Sequence, residues 1–191
     1  MLITLIRHSK TNPTGNIPIK QWGLTEEGIL MAKALAKTDK IKSISVLYTS
    51  LQTKALETAV ILAKDHGIPM KINDNLTEIT SFTEKFHSDP EIYEQNTAAF
   101  YNGTLDRIEN GETGKEALDR FNGAVEEILT EEKDKDNIGI VSHGHILTFF
   151  TAQFMQIDMY SYHKTIQMPD VAILDWNTKK FINVFNSVKA S

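Results

Sequence analysis

Two histidines stand where short apolar runs stop. Leu2-Ile3-Thr4-Leu5-Ile6 leads into Arg7-His8-Ser9-Lys10-Thr11, and Ile138-Gly139-Ile140-Val141 leads into Ser142-His143-Gly144-His145. Both runs have the length and composition of buried strands. In an open α/β sheet, ligands sit outside the carboxyl ends of the strands, so His8, His143 and Arg7 are expected in one crevice. Two imidazoles and a guanidinium form a site for a dianion such as a phosphoryl group. A neutral imidazole nitrogen attacks phosphorus and gives a phosphohistidine that water can open, which makes His8 the candidate nucleophile. Arg7 offers forked donors to phosphate oxygens, and His143 can hydrogen-bond a non-bridging oxygen. Gly144 admits close backbone approach, with the N–H groups of a following helix facing the same crevice. A lone strand-end histidine reads equally as a capping or core residue; the second one shifts the balance toward chemistry.

The elements that would hold these groups alternate. After the first strand, Asn12 to Gln21 carries Pro13, Gly15 and Pro18 and reads as a loop over the strand end. Thr25 caps a helix whose first turn holds Glu26 and Glu27 and whose inner face is Ile29, Ala32, Leu35 and Ala36. A second strand over Ser45–Thr49 precedes a helix from about Thr53 to His66 that Gly67 closes, and Pro69–Ile72 gives a third strand. Thr113 and Glu116 have capping-box spacing ahead of a stripe of Leu118, Phe121, Val125, Ile128 and Leu129. The mixed charges of Glu131 to Asp136 form a solvated turn. The fourth strand, Ile138 to Val141, is followed by a helix from about Ile146 to Met155. Strands at Val171–Trp176 and Phe181–Phe185, joined around Asn177-Thr178, close the chain. This rhythm predicts an α/β fold: a three-layer α/β/α sandwich on a mainly parallel central sheet. Ile79 to Glu112 breaks the rhythm and reads as an inserted lid within one domain spanning residues 1–191.

With these motifs in place, the chain resembles the phosphoglycerate-mutase-like branch of the histidine phosphatase superfamily. Arg7-His8, Leu24-Thr25-Glu26-Glu27-Gly28, Tyr48-Thr49-Ser50 before Ala55-Leu56-Glu57-Thr58-Ala59, and Val141-Ser142-His143-Gly144 occur in that family's order over residues 1 to about 150. The resemblance implies His8 as the phosphorylated residue, with Arg7, His143 and a basic residue near the third motif as phosphate ligands. It also implies Glu78, in Leu76-Thr77-Glu78, as proton donor to the leaving alkoxide. Burial can raise a carboxyl pKa enough for that task.

Three positions depart from the family pattern. Ser9 stands where glycine is usual, and its hydroxyl could bind phosphate or its bulk could narrow the pocket. Lys54 replaces an arginine, keeping the charge but losing the bidentate fork, so a weaker grip on phosphate is expected. Thr14 replaces an asparagine, whereas Thr11 fits, and Lys10 adds a positive charge near the pocket. Other constellations carry less. His143-Gly144-His145 has metal-like spacing, but a strand-to-helix turn aims the rings apart and no Cys or nearby carboxylate completes a set, so no metal and no cofactor are expected. Ser50 and Ser142 lack a nucleophile-elbow context. His66, His87 and His163 read as surface or loop histidines, and Trp22 as a packing residue or a ring near the site.

Composition narrows the partners. The 191 residues carry a formal net charge of −5 with His neutral, which disfavours nucleic acid and anionic membrane surfaces and leaves a local positive pocket as the means of holding phosphate. The chain has no cysteine, excluding disulfides and thiolate chemistry. No leader or membrane-spanning run is visible, so a cytoplasmic protein is expected, with a homodimer admitted. The lid holds seven acids (Glu84, Asp89, Glu91, Glu94, Asp106, Glu109, Glu112) and two bases, Lys85 and Arg107. Such acids would repel a second anion, which predicts a small monophosphate whose remainder is neutral, partly apolar or cationic, stacked on some of Phe82, Phe86, Tyr93, Phe100 and Tyr101. The expected activity is hydrolysis of that phosphomonoester. The alternatives are a phosphoglycerate or sugar-phosphate mutase on the same fold and a non-catalytic phosphate-binding module.

Overall fold

The computed structural model describes residues 1–15, 17–83 and 89–185; Glu84, Lys85, Phe86 and His87 of the lid lie outside the described residues. The strands are β1 (Leu2–Arg7), β2 (Val46–Thr49), β3 (Met70–Ile72), β4 (Asn137–Ser142), β5 (Asp170–Asp175) and β6 (Lys180–Asn183). They form one sheet in the order β3-β2-β4-β1-β5-β6. β1 runs parallel to β4, β4 to β2 and β2 to β3, while β5 and β6 are antiparallel at one edge. β4, buried throughout, and β1, buried from Ile3 to Ile6, lie in the middle, as their apolar runs require.

Side-chain alternation along the strands divides the core in two. Ile3, Leu5, Val46, Tyr48, Ile138 and Ile140 pack on one face with Phe121, Val125, Ile128, Leu147 and Phe150. These last come from α5 (Gly114–Glu131) and α6 (Gly144–Ala152). Ile6, Leu47, Val141 and Val171 pack on the other face with Ala36, Ala55, Ala59 and Leu62. Those come from α1 (Glu26–Ala36) and α3 (Thr53–Lys64). The result is the three-layer α/β/α sandwich read from the sequence.

Element ends differ from the expectations where local chemistry outweighs periodicity. α3 stops at Lys64 and the chain turns through Gly67, whose φ of 62° suits glycine. α6 begins at Gly144 because His143 is already its N-cap, and it ends at Ala152, short of Met155. β6 ends at Asn183, and Phe185 turns back into the core. Two short helices had no periodic signal: α2 (Asp39–Lys42) and α7 (Met159–Thr165). Within the lid, α4 (Pro90–Tyr101) is capped by Asp89. Among the described residues no helix is long and apolar enough to cross a membrane.

α1 is pinned to the segment after His8. The Thr25 N–H donates to the Lys10 carbonyl (3.0 Å) and the Ser9 hydroxyl to the Gly28 carbonyl (2.7 Å). A Cβ on Gly28 would sit 2.2 Å from the Lys10 carbonyl oxygen, so only glycine permits this approach. Alanine is the better helix former by about 1 kcal/mol, yet overpacking here outweighs that gain. Gly28→Ala is expected to lower unfolding free energy by roughly 1–3 kcal/mol in chemical denaturation. Equal or greater stability would contradict this packing.

Candidate active site

The parallel register pairs Arg7 with Ser142, so the residues that follow each strand emerge side by side. The His8 N–H donates to the Ser142 carbonyl at 3.0 Å, extending the ladder to the histidine itself. The His8 and His143 rings lie 5.3 Å apart between centroids, tilted by 58°. His8 opens onto a cavity of about 220 Å³ lined by Arg7, Thr11, Trp22, Lys54, Glu78, Phe82, Tyr93, Asn96 and Gly144 among others, and His143 is fully buried against it.

His8 has a defined tautomer. Its Nδ1 lies 2.8 Å from the Ser9 carbonyl, which can only accept, so Nδ1 carries the proton and Nε2 keeps its lone pair. Burial holds the ring well below the ordinary imidazole pKa, and the nearby charges of Lys54 and Arg7 act the same way. The ring is therefore neutral and nucleophilic at pH 7. Burial, then His8, Lys54 and Arg7, also push His143 well below its ordinary value.

Arg7 is positioned from two sides. Its Nη1 donates to the Ile166 carbonyl at 2.6 Å, and its Nε is buried with no partner. The guanidinium lies so close to Gly144 that a Cβ there would stand 2.9 Å from Cζ. Glycine at this position is what lets the cation and the start of α6 share the space.

Glu78 follows a tight turn over Asp74–Leu76 that is locked to β4 by a bond from the Ser142 hydroxyl to the Leu76 carbonyl (2.7 Å). One carboxyl oxygen accepts from the Ile79 and Ile146 N–H groups (3.0 and 2.8 Å), the other from the His145 N–H (3.0 Å). The carboxylate thus sits on the positive end of α6. Burial raises its pKa against the opposing pull of these three amides and of Lys54, and burial prevails. A carboxyl whose acid form is favoured in this way can give a proton to a group in the cavity.

Lys54 enters from the first turn of α3 and is only 5% exposed. Its Nζ donates to the Ile19 carbonyl (3.4 Å) and lies 5.8 Å from the Trp22 ring centre. Burial lowers its pKa to about 8. Arg7, His8 and His143 are thus brought together as the two strand ends anticipate, and Lys54 and Glu78 join them as the family resemblance implies, with Thr11 and Gly144 at the cavity wall.

Ser9 and Lys10 do not join them. The Ser9 hydroxyl donates to the Gly28 carbonyl and its N–H donates to Thr58 Oγ1 (3.0 Å), so it joins α1 and α3 behind the site and does not line the cavity. Lys10 points outward to Glu27. None of the described lid acids lines the cavity. Glu94 pairs with Lys164 and Tyr160 of α7, and Glu112 with Arg120 of α5, so these two acids fasten the segment to its neighbours and do not face the cavity. Phe100 and Tyr101 are core residues; Phe82 and Tyr93 reach the cavity.

Three residues with modest sequence signals contribute more than expected. Ser50 lies 2.7 Å from His143 Nε2. His145 turns away from His143, as the strand-to-helix geometry predicts, and stacks between Phe82 (3.6 Å) and His163 (4.1 Å). Its ring nitrogens bond the Tyr93 and Tyr101 hydroxyls, which ties the lid to α6. His163, expected on the surface, is on α7 against this stack, and burial pushes its pKa down to about 3. The position of Ser50 immediately after β2 was the signal that could have found it. Among the described residues no group of three or more His, Cys, Asp or Glu side chains could hold a metal ion.

A sheet whose strand ends present two histidines and an arginine, with a lysine from α3 and a buried carboxyl beside them, defines a phosphoryl-handling α/β fold. Residues 3–187 match the histidine phosphatase superfamily (branch 1), and the chain belongs to that family. A Cronobacter sakazakii protein named as a probable phosphoglycerate mutase is 27% identical over 166 residues, 83% of this chain and 77% of that one. A mutant phosphoserine phosphatase of Entamoeba histolytica, solved with phosphoserine, matches with a TM-score of 0.76 at 22% identity over 98% of both chains. The alpha-ribazole phosphatase of Shigella flexneri matches with a TM-score of 0.70 at 25% identity, over 98% of this chain and 96% of that one.

Holding Lys54 charged in this setting destabilises the fold. Its pKa falls from 10.5 to about 8, so below pH 8 the folded state carries a penalty that fades between pH 8 and 10.5, where the unfolded chain binds the extra proton. Lys54→Met is expected to gain roughly 2 kcal/mol at pH 7. The gain should shrink as the pH approaches 10. A variant less stable than wild type at pH 7, or a gain that grows with pH, would contradict the buried charge.

Proposed function

We propose that the protein is a phosphomonoesterase that hydrolyses a small monophosphate through a phosphohistidine on His8. The observation that carries this is the free Nε2 of His8, its tautomer held by the Ser9 carbonyl, beside an unpartnered Arg7 Nε. Nε2 attacks phosphorus in line with the ester oxygen, the P–O bond breaks, and protonated Glu78 gives its proton to the departing alkoxide. Arg7, Lys54 and His143 hold the non-bridging oxygens as charge shifts onto them. The Glu78 carboxylate then takes a proton from water as the water attacks the phosphohistidine. Inorganic phosphate leaves, and His8 and Glu78 return to their starting forms. No step requires a cofactor.

The wall beyond the phosphate-binding groups contains Ile19, Trp22, Phe82, Ile108 and Met168, which suits a neutral, partly apolar leaving group. The phosphatase names of the Entamoeba and Shigella structures support small phosphate esters as the substrate class. The Cronobacter name favours a second reading, phosphoryl transfer between positions of a glycerate or sugar phosphate. We keep the single domain with its lid, the cytoplasm as its compartment and the lack of nucleic-acid or membrane partners as part of the proposal.

Turnover of p-nitrophenyl phosphate and a panel of phosphate esters in oxygen-labelled water tests the reading. Wild type should release inorganic phosphate carrying solvent oxygen, and His8→Ala should fall at least about a thousandfold, to background. Equal rates for the two proteins would end the enzyme reading. Isomerised ester without free phosphate would favour the mutase.

A further inference from the structure

Ser50 is fully buried at the end of β2, and its N–H donates to the Val141 carbonyl (3.3 Å), tying it to the strand that ends in His143. Its hydroxyl lies 2.7 Å from His143 Nε2. That contact uses one of the two ring nitrogens. The other, Nδ1, is buried and has no partner. Any contact between His143 and a phosphoryl oxygen must therefore run through Nδ1.

The direction of the Ser50 bond decides whether that contact attracts or repels. If Nε2–H donated to Ser50, Nδ1 would turn a lone pair toward an anion and the serine proton would have no acceptor in this contact. If the serine hydroxyl donates to Nε2, the ring proton sits on Nδ1 and faces the anion as a donor. We infer that Ser50 is a positioning residue that donates its hydroxyl proton to His143 Nε2 and so fixes the tautomer in which Nδ1–H serves the substrate phosphoryl group. The arrangement mirrors His8, whose Nδ1 proton is fixed by the Ser9 carbonyl so that Nε2 can attack. One backbone acceptor and one side-chain donor thus give the two imidazoles opposite tasks. The low pKa of His143 agrees with this, because a neutral ring needs its single proton on the correct nitrogen.

This assignment rests on the phosphomonoesterase reading for its consequence in catalysis, but the tautomer can be read without substrate. Nitrogen-15 histidine spectra of the full chain, with the His143 signals identified by their loss in His143→Asn, should show Nδ1 protonated and Nε2 unprotonated at pH 7. Ser50→Ala should collapse that signature toward a tautomer mixture and lower kcat by about 10- to 100-fold with KM changed far less, the scale at which loss of a ring-orienting partner acts. Ser50→Thr, which keeps the hydroxyl, should restore both. A wild-type spectrum with the proton on Nε2 would overturn the assignment, even if no serine variant folds. Unchanged kcat and tautomer in Ser50→Ala would overturn it too. A wild type inert toward every phosphate ester would sink the phosphatase reading, while the spectrum would still decide the tautomer.

Discussion

The parallel pairing of β1 with β4, from Leu2 opposite Asn137 to Arg7 opposite Ser142, is the constraint from which the site follows. Backbone hydrogen bonds carry that register one residue past the strand ends, so His8 and His143 meet without either side chain having to seek the other. A slip by one residue would turn every side chain of one strand to the opposite face and separate Arg7 from Gly144. The register is held because both faces are buried. Ile3 and Leu5 face one core and Ile6 the other, so each alternative pairing would bring apolar groups to the wrong layer.

On this frame the protein concentrates positive charge that its composition as a whole lacks. A chain of net charge −5 buries Arg7 and Lys54 around two neutral imidazoles, with Glu78 as the carboxyl lining the same cavity among the described residues. Desolvation is the largest influence on each of these five groups. It keeps the imidazoles neutral and raises the carboxyl toward its acid form, while it works against the charges of Arg7 and Lys54, which a bound phosphoryl group would offset. Arg7 Nε and His143 Nδ1 are buried with no partner among the protein's own groups. A phosphoryl group would offer acceptors to both, which is one physical reason for the site to favour such a ligand.

Much of this was legible in the sequence, for physical reasons that also mark where legibility stops. Strands ending in Arg7-His8 and Ser142-His143 stand out because doubly buried strands need continuous apolar runs, and Thr25 and Thr113 mark helix starts because their hydroxyls satisfy free N–H groups. The convergence of Lys54 and Glu78 on the histidines came from family resemblance, since no local pattern reveals that Lys54 would tunnel inward beside Trp22. Side-chain direction was the main loss. Ser9 could face substrate or protein, and the close approach of Gly28, a long-range effect, turned it away from the cavity. The lid acids looked like a screen because composition does not say which way a helix presents its charges. The sparse polar runs of α2 and α7 give no periodic signal, so His163 seemed solvent-exposed when it is stacked on His145.

The most direct measurement of the central claim is to trap the covalent intermediate. The protein is mixed with radiolabelled phosphate ester, quenched rapidly without acid, digested and mapped. Label on the peptide containing His8, attached through Nε2, is the expected result, and it should vanish in His8→Ala. Turnover with label on no histidine, or on the His143 peptide instead, would contradict the account.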